Sequence, residues 1–461
     1  MPLDRAAVEF PISLLVMASL FAAIGSLSCV LANRGISIFH DGLRPLIPDM
    51  MAGRIPRSRV ARTSFDLGLG FVWSFSVPFS IGLNVPIVHI IFMATDWFGV
   101  SMPADYQQPW YATGISRRGT ISSALIGAVW GVVIALALRG IYEVFRRFPV
   151  PLLTMTAEIT APALATFFLF PVLTIAYHYG LRAGFVSLGV AALAWYVSMT
   201  LSSHRPATWA FLAAAAVLTG YFTVELATRG ETAESPFGDA ESDLNWVNEQ
   251  TETDEASFFA ANVERLKRAI LPNGVLYGLM GAAFNYPVFA NEPIQGVLYA
   301  HGLVIPAVLV ALSWGFAYMP MKFTTAAATG CMATGSFLDA AVAMLMPNPV
   351  VAFVALFLLR IVETYSLLPS ERLLERYPVI REVADFMRTA QGHVMEIAFL
   401  VGGALAANSI AGGFGVAAII ALWWLNNRAH FPVMPVSVGA LGAILVGLLI
   451  NLFRLIGLTV H

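Results

Sequence analysis

Apolar stretches of roughly 20 residues, long enough to cross a hydrocarbon core as helices, recur from one end of the chain to the other. They run over residues 8–31, 65–83, 120–138, 160–179, 183–202, 207–227, 270–290, 294–318, 324–346, 350–368, 393–411, 414–425 and 436–458. Two shorter apolar pieces, residues 85–100 and 150–158, have the length of re-entrant segments. The pattern predicts an all-α polytopic transmembrane helical bundle of about 12–13 spans, with broken or re-entrant helices and room for two structural repeats. The N-terminal apolar run is longer than a signal-peptide core and reads as a retained first span.

Between spans, arginines and lysines accumulate in short loops, the mark of the cytoplasmic side. Arg34, Arg44, Arg54, Arg57, Arg59 and Arg62 place the first loop there, as do Arg139, Arg146 and Arg147, then Arg265, Lys267 and Arg268, then Arg372, Arg376, Arg381 and Arg388. Arg117 and Arg118 fall on the wrong side of this scheme. Three spans between Arg147 and Arg265 also break its parity, which calls for a re-entrant piece or a hairpin there. One long hydrophilic stretch, residues 229–263, carries nine acidic residues from Glu231 to Glu255 and reads as a solvated spacer, with a partner-docking tail as the alternative. It divides the chain into an N-terminal transmembrane half, 1–228, the linker, 229–263, and a C-terminal half, 264–461.

Composition agrees with lipid as the solvent: 58% of residues are hydrophobic, 12% are charged, and the mean hydropathy is +0.74. A net charge of -2 gives no basic excess for a nucleic-acid partner. Cys29 and Cys331 both lie in apolar runs, against a disulfide framework or a cysteine-ligated metal. No phosphate-binding G-x-x-x-x-G-K-[ST] loop, zinc H-E-x-x-H or nucleophile G-x-S-x-G occurs, so the chain has no P-loop for ATP hydrolysis and no familiar hydrolase signature. Gly68, Gly70, Gly127 and Gly131 read as close-packing residues of apolar helices.

Ionisable residues at membrane depth are costly and mark paired, hydrated or functional positions. His40, Asp41 and Arg44, ahead of Pro45, form either a gate or solute contact, or a loop held by an Asp41–Arg44 ion pair. Asp96 suits an external gate or an interfacial belt beside Trp97. Thr154, Thr156, Glu158 and Thr160, ahead of Pro162, place hydroxyls and a carboxylate where proline frees backbone groups to face a ligand. A first-turn carboxylate at a helix start is the alternative for Glu158. The second half offers Thr325, Thr329 and Gly330, continuing to Asp339, as a discontinuous helix or a packing seam. Glu363 can pair with Arg360 three residues before it. His393 and Glu396 have the same spacing and form a candidate proton-carrying pair or an interfacial cap.

Residues 40–45, Thr95-Asp96 with Gly99, Ala157–Pro162, Pro347-Asn348-Pro349, Arg376-Tyr377-Pro378 and the Met395-Glu396 run together resemble the YhfT family of bacterial inner-membrane proteins, over most of the chain outside the linker. The resemblance implies a multi-pass protein of the bacterial cytoplasmic membrane, related to transport, with a polar metabolite as solute. Taken together, the expectation is a secondary transporter of a small polar or anionic metabolite, working by alternating access, with Glu158, Glu363 or Glu396 for proton coupling. A phosphotransferase-type permease subunit, a membrane-embedded enzyme built on His40-Asp41 or His393–Glu396, and a purely structural subunit are the rivals. No catalytic role, cofactor or metal is expected. The expected partners are the lipid bilayer and a small-molecule solute, with no nucleic acid, and a homodimer is compatible with the sequence.

Overall fold

A computed structural model describes residues 13–77, 79–80, 85–106, 114–150, 152–201, 205–229, 259–288, 290–430 and 432–457. The acidic stretch expected as a linker lies outside them from 230 to 258. The first part comprises α1 (Leu14–Asn33), β1 (Ser37–Ile38), α2 (Arg57–Phe71), α3 (His89–Ser101) and α4 (Ile115–Arg146). Next come α5 (Leu152–Thr166), α6 (Leu169–Tyr179), α7 (Leu181–Thr200) and α8 (Pro206–Arg229). The second part comprises α9 (Ile270–Asn285), α10 (Pro293–Ala300), α11 (Val304–Thr329), β2 (Met332–Ala333), α12 (Phe337–Leu345) and α13 (Pro349–Arg376). The chain ends with α14 (Val379–Ala411), α15 (Gly413–Asn426) and α16 (Pro435–Leu455).

Eight of these helices are long and apolar enough to cross a membrane, and α5–α6, bent by 52° after Pro162, makes a ninth if taken as one span. The all-α polytopic bundle with broken helices is thus as expected, and among the described residues several of the 12–13 apolar runs form short or broken helices. The apolar run 324–346 is not one helix: α11 stops at Thr329, Gly330 turns back with φ +61°, and α12 starts only at Phe337. The run 294–318 divides into α10 and the start of α11.

The two parts repeat one order of elements. In residues 14–146, a helix leads to an extended segment, a short helix (Ile47–Met51), a longer one (α2), another extended segment, a half-length helix (α3) and a long helix (α4). In residues 270–376 the same order ends in the half-length α12 and the long α13. Packing repeats with it: α1 lies against α3 and α4 as α9 lies against α12 and α13. The match reaches single residues. Asn33, the last residue of α1, donates its amide to the carbonyls of Gly99 and Met102 at the end of α3 (3.1 and 2.9 Å). Asn285, the last residue of α9, does the same to Ala343 and Met346 at the end of α12 (3.0 and 2.8 Å). Both amides satisfy carbonyls that a helix end leaves without an internal partner.

Four extended segments pair across the two parts. Ser37–Ile38 runs parallel to Met332–Ala333, and Ile87 bridges Ala290 in parallel. The first segment of one part thus pairs with the second segment of the other, twice, as a two-fold exchange of the repeats requires. The hydrogen bonds are Met332 N to Ile36 O (2.8 Å), Thr334 N to Ile38 O (3.3 Å), Val88 N to Ala290 O (2.9 Å) and Ala290 N to Pro86 O (3.0 Å). Unwound backbone at membrane depth must find such partners, because hydrocarbon supplies none.

Close backbone contact between α1 and α4 depends on Gly25, Gly127 and Gly131, where an added Cβ would collide with main-chain atoms of the facing helix. Helix α4, at 32 residues, is about 48 Å long, enough to reach across a bilayer. Its first turn is tied to Arg34, whose Nη1 donates to Ser116 (2.6 Å), so Arg117 and Arg118 share the face of Arg34. Arg139, Arg146 and Arg147 lie toward the opposite end. Arg117 and Arg118 thus sit with the first loop, and α5–α6, if taken as one span, makes three with α7 and α8 between Arg147 and Arg265.

Candidate functional site

A cavity of about 290 Å³ lies where the extended segments cross, beside the middle of α11. Its polar wall is built by the segment after β1, with His40, Asp41 and Arg44, by Asn291 before α10, by Ser336 before α12, and by Lys322 and Glu363 from α11 and α13. Its apolar wall includes Phe39, Phe71, Met93, Tyr318 and Phe337.

Arg44 opens a short 3-10 turn, Arg44–Leu46, fixed by Pro45 at its start, and its side chain is only 1% exposed. One terminal nitrogen is bonded to Asp41. The remaining donors, Nε and Nη1, are buried without a hydrogen-bond partner. A guanidinium with two idle donors in a low-dielectric site is an uncompensated attraction for an anion.

Behind this wall, Asp96 on α3 is fully buried and accepts the backbone N–H groups of Phe39 (2.9 Å) and His40 (2.9 Å). It is a clamp on the extended segment and does not line the cavity. On the other side, Lys322 donates to Glu363 (2.5 Å) and stands 4.0 Å from Asp339. Arg360 uses all of its nitrogens, donating to Asn273 (3.2 Å), Glu363 (3.2 Å) and the Ala333 carbonyl (2.5 Å), and it stacks on Tyr277 with 3.5 Å to the ring centroid. Asp339 also accepts from Ser336 and completes a capping box at the start of α12. Two cations and two carboxylates thus compensate one another, which burial at this depth demands.

The other sequence candidates lie elsewhere. Thr329 closes α11, donating to the Thr325 carbonyl (2.6 Å) and accepting from Cys331 N (3.2 Å), while Gly330 supplies the left-handed turn. Both threonines and the glycine therefore shape the break without lining the cavity. Glu158 and Thr160 sit on α5, which packs on α14, with Ile159 against Gly402. Among the described residues, none of α5 lines the cavity. His393, on the exposed face of α14, bonds the Tyr177 hydroxyl (2.9 Å) and makes no ion pair with Glu396 among the described residues. The expected His393–Glu396 pair is corrected accordingly: three-residue spacing brings two side chains near, but His393 turns to α6.

Sequence reasoning missed Lys322, Asn291 and His89. A usable signal existed for the first, since only two lysines occur in the chain and Lys322 interrupts an apolar run.

The basic face carries a second polar assembly. Arg265 donates to the carbonyls of Gly35 (2.7 Å), Arg34 (3.1 Å) and Gly330 (3.3 Å), joining both broken helix ends. Tyr106 lies between Arg34 and Arg57 and donates to Asn33 O (3.3 Å). Burial raises its pKa against the opposing pull of Arg57, Arg265 and Arg34, which keeps the phenol protonated and able to donate.

No solved structure matches this chain. It is 27% identical over 457 residues to the "Uncharacterized protein YhfT" of Escherichia coli (strain K12), covering 95% of this chain and 97% of that protein. The family profile of YhfT, described as a protein of unknown function, matches residues 17–459. With the profile spanning nearly the whole chain, this multi-helix membrane-type protein belongs to the YhfT family.

Proposed function

We propose that the chain is a secondary transporter that carries a small polar or anionic metabolite across the bacterial cytoplasmic membrane by alternating access. The observation that carries this reading is Arg44, buried at the cavity with Nε and Nη1 unpartnered. At Arg360, by contrast, every nitrogen has a hydrogen-bond partner. The cavity sits where broken helices from two repeats cross, which is where transporters bind their solutes. The face with Arg34, Arg57, Arg117 and Arg265 is richer in basic residues and is read as cytoplasmic.

Of the carboxylates considered for proton coupling, Glu363 is the one at the cavity, joined to Lys322 and Arg360. Glu158 and Glu396 stand apart from it and are not assigned that role.

The test is solute-stimulated uptake into proteoliposomes, with a metabolite panel scored first by thermal shift of the purified protein. An anion that stabilises the wild type and is accumulated, with both effects lost in a folded Arg44→Gln variant, supports the reading. Accumulation that survives Arg44→Gln unchanged refutes the assigned site.

A further inference from the structure

The charge and the walls of the cavity narrow the solute further, an argument that rests on the transport reading above. Every nitrogen of Arg360 has a partner, and Lys322 is held between Glu363 and Asp339. Arg44 is therefore the lining cation with idle donors, and it can seat one anionic group. A second carboxylate would meet Asp41 and Glu363, both lining the same space, and would be repelled.

The rest of the lining is mainly apolar, with methionines such as Met93 and Met319 beside aromatic residues contributed by both repeats. On the first, His89 stacks on Phe71 (centroids 4.5 Å apart) and meets Phe39 edge-on at 4.8 Å. On the second, Tyr318 lies 5.6 Å from Phe337. Aromatic faces favour flat or apolar bodies over heavily hydroxylated ones, whose polar groups would lose their water without replacement. His89 adds one polar point, because its Nδ1 is buried without a partner.

We propose that the solute is a small monocarboxylate with a flat or apolar body, its carboxylate on Arg44 and its body between the His89–Phe71 and Tyr318–Phe337 walls. Each repeat then holds one wall, and separation of the repeats would release the body.

The experiment measures binding of six probes to the purified full-length protein by titration calorimetry and thermal shift: benzoate, phenylacetate, benzamide, acetate, succinate and gluconate. Benzoate or phenylacetate should bind best. Removing the charge (benzamide) or the body (acetate) should each weaken binding at least about tenfold. Phe337→Ala should weaken benzoate by a similar factor while leaving acetate unchanged, and Arg44→Lys should weaken both carboxylates, which covers the case in which Arg44→Gln does not fold. Tighter, Arg44-dependent binding of succinate or gluconate overturns this assignment of solute class and leaves the transport reading standing. Absence of binding by all six probes overturns it too, whereas Arg44-dependent uptake of a different anion would preserve the transporter.

Discussion

Asp96 and Arg44 illustrate how the same kind of sequence signal, a charge near an apolar run, resolves into different roles. The Asp96 carboxylate accepts two main-chain N–H groups that would otherwise be unsatisfied beside a broken helix. Asp96→Asn replaces one acceptor oxygen by a donor that faces those amides, and should lower stability by roughly 1–3 kcal/mol. A thermal melt in one detergent, compared with wild type, checks this; an unchanged melting temperature would remove Asp96 from the clamp. Glu363 holds two cations, Lys322 and Arg360, so Glu363→Gln leaves buried positive charge less compensated and should cost on the order of 3–5 kcal/mol. The double variant Glu363→Gln with Lys322→Met should recover part of that loss, a coupling readable by a double-mutant cycle of melts. At this scale the sequence showed which residues carry charge. It could not show that Arg44 keeps two nitrogens idle while every nitrogen of Arg360 has a partner, since that depends on neighbours brought from other helices.

Among elements, the paired extended segments are the feature on which the cavity depends. Ser37 and Thr334 face each other across β1 and β2 with their hydroxyl oxygens 3.1 Å apart. Cysteines at these two positions, in a background with Cys29 and Cys331 changed to alanine, should form a disulfide on mild oxidation. If the segments move during transport, oxidation should abolish uptake and reduction should restore it. Full uptake by the cross-linked protein would mean that β1 and β2 move as one body. The break at Gly330 was legible as a run of small and polar residues from Thr325 to Ser336, too polar for a lipid-facing helix. The β1–β2 pairing was not, because two-residue strands carry no periodicity and their partners lie about 300 residues apart in the chain.

For the whole molecule, the position of α4 decides the orientation of everything that follows it. Cysteines placed at Arg118 and Arg147 should be labelled by a membrane-impermeant maleimide from opposite sides of intact cells or spheroplasts. Labelling of both from one side would refute the crossing of α4 and restore the loop-charge scheme. Apolar run length and composition were enough to read a helical membrane-type chain, because hydrocarbon penalises unpaired backbone and charge at every position and so writes itself into local sequence. The division of the long apolar runs into half-helices, the two-fold exchange between residues 14–146 and 270–376, and the gathering of Arg44, Lys322 and Glu363 around one cavity came only with the tertiary structure. Those features are set by which helices pack together. Helix contacts in a membrane rest on small-residue fit and paired polar groups far apart in the chain, such as Gly25 with Gly127 and Asn33 with Met102, and no local pattern announces its distant partner.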